Sequence, residues 1–329
     1  MDRPEAQPDT PPDDLGGGPG PWDQGPYPTG PGHRSGFVGL VGKPNVGKST
    51  ILNYYLGEKL AIVTPRPQTT RQRIHGVLTR PDAQAIFVDT PGLHEPRNVL
   101  GRYMQEVTKA VLEDVDILVA VVDARSGLRI DDERLFDRLR QVRRTGVRAT
   151  TMLAAINKID LVQKARALPL IEACAKTGLF AECVPVSAKT GLQMDVLLRC
   201  IIQALPEGPE WYGPQDRTDQ SREQRIRELI REQVLLATHE EVPGAVAVEL
   251  TSLETKPRVT VVQATIYVER PGQKAIIIGR EGRILKEIGQ AARRELEAFL
   301  GNKVYLDLWV KVAEHWRGNE RLLRELGYG

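Results

Sequence analysis

The sequence predicts an α/β protein in two parts: a mostly parallel sheet with helices on both faces, followed by a smaller α+β domain. Three observations predict it. From Gly36 to Leu205 short apolar runs alternate with longer amphipathic ones, the pattern of strands and crossover helices in a parallel sheet. The Pro/Gly cluster from Leu205 to Pro214 then breaks this pattern and reads as an interdomain linker. Beyond it the order changes to helix, strand, strand, helix, helix, strand. With 329 residues the chain can hold two or three domains.

In the first part, strands are expected at Phe37–Val41, Ile74–Leu78, Ala85–Val88, Ile117–Val122, Met152–Ile156 and Cys183–Val186. Helices are expected to begin near Ser49, Arg102, Asp131, Lys164 and Met194. The segment Thr64-Pro65-Arg66-Pro67-Gln68-Thr69-Thr70 is polar and broken by proline, so it should be a mobile loop. In the second part the expected elements are a helix at Gln220–Ala237, strands at Ala245–Leu250 and Thr260–Val268, a short helix at Gln273–Ile278, a long helix at Arg283–Leu300, a strand at Lys303–Val310 and a final short helix. Val246, Val248 and Leu250 alternate with Ala247 and Glu249, as in a half-buried strand. Residues 1–35 are rich in Pro, Gly and Asp; they hold too few apolar side chains to offset ordering entropy and read as a disordered tail. The expected units are therefore 36–205, a linker at 206–216, and 217–329.

Composition narrows the function classes. Hydrophobic residues are 41% and charged residues 27%, ordinary for a globular protein. The formal net charge is +2, so any nucleic-acid surface must be a local patch. Cys174, Cys183 and Cys200 are odd in number and contain no C-x-x-C pair, which argues against a disulfide framework or a zinc site and fits a reducing cytosol. The apolar run Ile117–Val122 is too short to span a bilayer, and the N-terminus lacks a signal pattern. A cytoplasmic protein is expected.

The chemistry starts at Gly42-Lys43-Pro44-Asn45-Val46-Gly47-Lys48-Ser49, a G-x-x-x-x-G-K-S string between an apolar run and a helical one that opens with Thr50. In that setting the loop N–H groups and the positive end of the following helix face an anion. Lys48 would reach the β- and γ-phosphates, and the Ser49 hydroxyl would sit on Mg²⁺. Asp89-Thr90-Pro91-Gly92 follows another apolar run; Asp89 can hold Mg²⁺ through water, and Gly92 can offer its N–H to the γ-phosphate. Asn157-Lys158-Ile159-Asp160 ends a further strand. Asp160 can accept two hydrogen bonds from guanine, a donor pair that adenine lacks, so GTP and GDP are favoured over ATP. Lys158 can lie along the base plane, and Asn157 can tie this loop to the phosphate loop. After the last strand of this part comes Ser187-Ala188-Lys189, where a backbone N–H can meet the guanine carbonyl.

The order phosphate loop, Thr-rich loop, D-T-P-G, N-K-I-D, S-A-K resembles the translation-factor-related class of P-loop GTPases over residues 36–205. The resemblance implies a GTP/GDP switch in which Thr70 coordinates Mg²⁺, with Thr69 the runner-up. A Gln that orients the attacking water in the Ras-like template is replaced here by Leu93, so slow intrinsic hydrolysis is expected. Help could come from another group or from bound K⁺: Asn45 matches an Asn that helps hold K⁺ in potassium-activated relatives. The catalytic candidates are thus Lys48, Thr70, Gly92 and Asn45. A GTP-gated scaffold with negligible hydrolysis is the alternative.

Gly279-Arg280-Glu281-Gly282 joins two helices of the second part. This arrangement resembles a type II KH domain, whose G-x-x-G loop clamps single-stranded nucleic acid. Lys274, Arg283 and Lys286 flank the loop and join Arg280 in a modest basic edge, with Arg270 beyond; Glu281 stands where many such loops carry a cation. Together the two parts resemble the Era family of bacterial GTPases over residues 36–318, including Asp307-Leu308-Trp309-Val310-Lys311-Val312. That resemblance implies binding near the single-stranded 3′ region of the small-subunit (16S) ribosomal RNA, a role in small ribosomal subunit assembly, and a peripheral contact with the inner membrane. A monomer is expected.

Overall fold

The computed structural model describes residues 27, 29–66, 69–92, 96, 98–145, 150–239 and 242–328. Six strands form the first sheet: β1 (Arg34–Val41), β2 (Ile74–Thr79), β3 (Ala83–Asp89), β4 (Ile117–Asp123), β5 (Thr151–Asn157) and β6 (Glu182–Pro185). Their order is β2-β3-β1-β4-β5-β6. Every pairing is parallel except β2 with β3. The continuous apolar run of β4 is explained by its central place. Ile117, Val119 and Val121 face one core with Ile51 and Leu52 of α1 (Lys48–Leu56) and Leu197 and Ile201 of α5 (Met194–Ala204). Leu118, Ala120 and Val122 face the other core, with side chains from α2 (Val99–Asp114), α3 (Ile130–Thr145) and α4 (Lys164–Lys176). A strand covered on both faces has no polar face to alternate with.

The C-terminal ends of β1, β3, β4 and β5 gather at one rim. The strand order reverses there, because β1 lies between β3 and β4. Such a switch point opens a crevice for ligands. The phosphate loop leaves β1 at this rim, and Asp89, Asp123 and Asn157 end β3, β4 and β5 there.

The second sheet has the order β7-β8-β9, from β7 (Ala247–Thr255), β8 (Val259–Val268) and β9 (Lys303–Val312). β7 and β8 are antiparallel, β8 and β9 parallel. The helices are α6 (Arg222–Ala237), α7 (Pro271–Ile278), α8 (Arg283–Leu300) and α9 (Glu320–Glu325). Ile226, Ile230, Ile288 and Leu296 of α6 and α8 pack on Val262, Ala264 and Ile266 of β8. Among the described residues no helix is long and apolar enough to cross a membrane.

The structure moves several element ends from where the sequence places them, chiefly these. β1 starts at Arg34, so Arg34 and Ser35, expected in the tail, pair with Ala83 and Gln84; residues 1–26 and 28 of that tail lie outside the described residues. The start of α2 lies at Val99 rather than near Arg102, because the Asn98 side chain accepts the Gly101 N–H at 2.8 Å and caps the helix. β7 runs five residues past Leu250; an irregularity in its register between Leu250 and Ser252 breaks the period-two pattern. The expected linker, whose Trp211 and Tyr212 predict that it packs on something, is held by hydrogen bonds. The buried Gln84 side chain accepts the N–H groups of Trp211 (2.7 Å) and Tyr212 (3.0 Å) and donates to the Tyr212 carbonyl (2.8 Å). Tyr212 thereby packs on Val77 and Ile86.

Candidate nucleotide-binding site

Between β1 and α1 the chain wraps a cradle held by contacts from four other loops. Gly47 has φ 104°, and a Cβ there would stand 2.3 Å from the Asn157 amide nitrogen. Only glycine lets that amide reach the loop. The Asn157 Nδ2 donates to the Val46 carbonyl at 2.8 Å, and its Oδ1 accepts from the N–H groups of Lys158 (2.8 Å) and Ala188 (3.0 Å). One side chain thus ties together the phosphate loop, the N-K-I-D stretch and the S-A-K stretch. Val46 itself is a core plug, 1% exposed.

Lys48 folds back across its own loop. Its Nζ donates to the carbonyls of Gly42 and Lys43, both at 3.1 Å. Burial pushes its pKa down to about 8, with the Asp89 charge acting the other way. With Lys48 on a phosphate, nucleotide affinity should be full below about pH 8 and fall as pH rises through it. GDP titrations at about pH 7 and about pH 9 should differ roughly tenfold in Kd. Equal affinities would remove Lys48 from the phosphate contact.

Three oxygen-bearing side chains converge beside Lys48. The Ser49 Oγ donates to Asp89 Oδ2 at 2.6 Å, the Thr70 Oγ1 donates to the same oxygen at 3.1 Å, and the two hydroxyls are 3.1 Å apart. Thr69 turns elsewhere: its hydroxyl donates to the Arg66 carbonyl at 2.7 Å and sits 2.7 Å from that of Thr64. Asp89 Oδ1 is buried without a hydrogen-bond partner among the described residues. Burial raises the Asp89 carboxyl, opposed by Lys48 and the hydroxyls of Ser49 and Thr70. Two hydroxyls and a carboxylate with a spare oxygen suit a hard cation such as Mg²⁺ completed by phosphate oxygens.

The remaining motif residues divide between lining and bracing. Gly92 lies against Pro44, where a Cβ would meet the proline nitrogen and Cα at 2.8 Å. Thr90 and Pro91 brace: the Thr90 hydroxyl donates to the Leu40 carbonyl at 2.8 Å, and the Pro91 carbonyl accepts from Thr108 at 3.2 Å. Leu93 lies outside the described residues. Asn45 is exposed with φ 63°. Its Nδ2 donates to the Pro65 carbonyl at 2.8 Å, bridging the phosphate loop and the Thr-rich loop. Lys43 points away from the cradle and anchors it, donating to Asp132 Oδ2 at 2.7 Å and Ser126 Oγ at 3.1 Å.

At the base end, Lys158 Nζ donates to the Asn45 carbonyl at 2.5 Å and to Asp123 Oδ2 at 2.8 Å. Burial pushes the Asp123 carboxyl up, but the Lys158 hydrogen bond and charge outweigh it and hold it below its ordinary value. Asp160 is exposed in the short 3-10 turn Ile159–Leu161, with Ile159 half-buried against the core. Ser187 is buried and its Oγ accepts the Thr190 N–H at 3.2 Å; Lys189 is exposed. The pocket, about 400 Å³, is lined by Lys48, Ser49, Thr50, Thr70, Gly92 and Lys158. Ile62, Val63, Pro65 and Arg125 also line it; sequence reasoning missed these, together with Asp123 and Asp132. An Asp ending a wholly buried strand, and one in the first turn of a helix, were the available signals.

A second concavity, about 480 Å³, lies between α8 and β9. It is lined by Gly282, Leu285, Lys286, Arg293, Tyr305 and Leu308, among others. Gly289 keeps its floor open, since a Cβ there would meet only Leu308, at 3.8 Å. Gly279 (φ 72°) and Gly282 (φ 76°) turn the chain from α7 into α8, and Glu281 between them has φ 54°. Arg280, Glu281, Arg283 and Lys286 are exposed, and Lys274 is half-buried. Arg283 pairs with Glu287 at 3.0 Å, which leaves Lys286 and Arg293 as the cations that line the groove. Tyr305, 60% exposed, forms part of its β9 wall.

This fold and these sites define a class: a P-loop GTPase carrying a KH domain. A family model described as a 50S ribosome-binding GTPase matches residues 37–158, and a KH-domain model matches residues 241–317. Two similar solved structures are Era in complex with MgGDPNP and nucleotides 1506–1542 of 16S ribosomal RNA, and a variant of Aquifex aeolicus Era bound to GDP·AlF4⁻. Each is 40% identical, has a TM-score of 0.84, and is matched over 90% of this chain and 99% of its own. The chain belongs to the Era family, and it is a GTPase that uses GTP and Mg²⁺.

Proposed function

We propose that the chain is a GTP-driven switch that binds the single-stranded 3′ region of small-subunit ribosomal RNA through its KH domain and assists assembly of that subunit. The observation that supports this most is the groove between α8 and β9. It opens beside a G-x-x-G turn, with Lys286, Arg293 and Tyr305 at its wall. Glycines allow close approach of a sugar-phosphate chain, the cations meet phosphates, and Tyr305 offers a ring on which a base can stack. A similar structure, Era bound to nucleotides 1506–1542 of 16S ribosomal RNA, is matched over 90% of this chain and 99% of its own. A single-stranded RNA of that 3′ sequence should bind more tightly than its duplex or DNA counterpart. Indistinguishable binding of the three would remove the KH reading.

In this reading residues 36–205 are the G domain, 206–216 the linker and 217–329 the RNA-binding unit. Lys48 and the phosphate-loop N–H groups hold the β- and γ-phosphates. Ser49 and Thr70 would hold Mg²⁺, with Asp89 reaching it through water, and Gly92 would contact the γ-phosphate. Bound there, Mg²⁺ would supply charge neutralisation for phosphoryl transfer. Asn157 and Lys158 shape the base slot, and Asp160 accepts the guanine donors. Asn45, whose amide already bridges the phosphate loop and Pro65, holds K⁺ near the phosphates. Turnover in K⁺ should exceed that in Na⁺, and replacing Asn45 by Ala should erase the difference; equal rates in the unaltered chain would sink the cation. The setting is the cytoplasm, with the chain a monomer in peripheral contact with the inner membrane.

A further inference from the structure

Thr70 has a neighbour whose chemistry the nucleotide site does not use. Arg71 is 2% exposed, and its guanidinium lies wholly within the second domain. Its Nη1 donates to the Val246 carbonyl at 2.6 Å, and its Nη2 to those of Pro243 and Gly244, both at 3.3 Å. The Trp316 and Tyr328 rings flank it, with centroids 5.6 and 5.7 Å from the guanidinium carbon. No carboxylate pairs with it among the described residues; carbonyl dipoles and ring faces replace water around the charge. Burying a cation in this way is a costly means of gluing two domains, since apolar side chains of like volume do so at least as well. What the guanidinium adds is geometry: a rigid fork that three carbonyls read at once.

The flanking residues are held from the same side. The Thr69 carbonyl accepts from Arg231 of α6, and Gln72 donates to the Gly327 carbonyl. The cage is also continuous with the groove. β9, whose Val304, Tyr305, Leu306 and Leu308 line it, ends at Val312 and leads directly to Trp316. The Trp316 Nε1 donates to the Ala245 carbonyl at 2.8 Å, inside the backbone segment whose Pro243, Gly244 and Val246 carbonyls receive Arg71.

We propose that Arg71 is a positioning residue that couples the Thr70 hydroxyl to the RNA groove. With Arg71 seated, Thr70 stands beside Ser49 and Asp89; when the nucleotide site releases Thr70, Arg71 leaves its cage and the backbone below β9 loses its brace. The linkage is reciprocal, so RNA in the groove favours the seated state and with it GTP. The inference rests on the RNA-binding reading given above.

The test measures RNA affinity of the full chain with a non-hydrolysable GTP analogue and with GDP, for the unaltered protein, Arg71→Lys and Trp316→Leu. Arg71→Lys keeps the charge and loses the fork; Trp316→Leu opens the cage from the other side. In the unaltered chain the two affinities should differ by roughly 5- to 150-fold. In both variants the ratio should fall to within about threefold of unity, while GDP affinity stays as in the unaltered chain. A full ratio in Arg71→Lys overturns the role of Arg71 and leaves the proposed function standing. No RNA binding in the unaltered chain overturns the proposed function itself. A variant with altered GDP affinity or loss of cooperative unfolding shows a merely structural role and also overturns the inference.

Discussion

Replacing Asp160 by Asn should lower the affinity for GTP by roughly a hundredfold to ten-thousandfold. The carboxylate is exposed in the turn that follows β5, so it is free to take both donors of the guanine edge. Two charge-assisted hydrogen bonds at about 1.5 to 3 kcal/mol each give about 3 to 6 kcal/mol, and every 1.4 kcal/mol or so is a factor of ten. The amide of Asn keeps one acceptor and adds a donor that clashes with the guanine amine. A xanthine base carries a carbonyl at that position, so xanthosine triphosphate should recover much of the loss. Competition titrations with GTP, ATP and xanthosine triphosphate check this. Unchanged selectivity between GTP and ATP would show that the base is read elsewhere.

The second large effect is expected at the G-x-x-G turn. Changing Gly279 and Gly282 together to Asp should weaken RNA binding by at least about a hundredfold while leaving GDP affinity unaltered. A Cβ on Gly279 would stand 2.7 Å from Ile284 Cγ1, and both glycines have positive φ. The substitutions thus strain the turn and set two anions beside a phosphate chain. The plot of log Kd against log salt should also flatten, since repulsion by the new carboxylates stands in for lost counterion release. If RNA affinity survives the double change, the groove between α8 and β9 is not where RNA binds.

Much of the nucleotide pocket was legible because its motifs are contiguous and each follows an apolar strand. Gly42–Ser49, Asp89–Gly92 and Asn157–Asp160 stand at strand ends along one rim, as a parallel sheet requires. What escaped was set by distance in sequence. Asp132 is an ordinary helix-start acid until folding brings Lys43 to 2.7 Å from it. Asp123 gains its role only when Lys158 arrives from the next strand. Gln84 looks like a polar residue in a strand, yet it fastens the segment expected to be a linker. The groove between α8 and β9 was half visible. The glycine turn is a local signal, whereas Arg293 and Tyr305 join the groove through the packing of α8 on β9. Arg71 follows two threonines in a proline-broken stretch, where no periodicity marks a residue for burial.

One chain here links GTP to RNA. The most direct test of that link is the affinity of the full-length protein for a single-stranded RNA carrying the 3′ end of small-subunit ribosomal RNA, measured with a non-hydrolysable GTP analogue and again with GDP. Binding should be tighter with the analogue, by roughly 5- to 150-fold. Equal affinities in the two nucleotide states would contradict it.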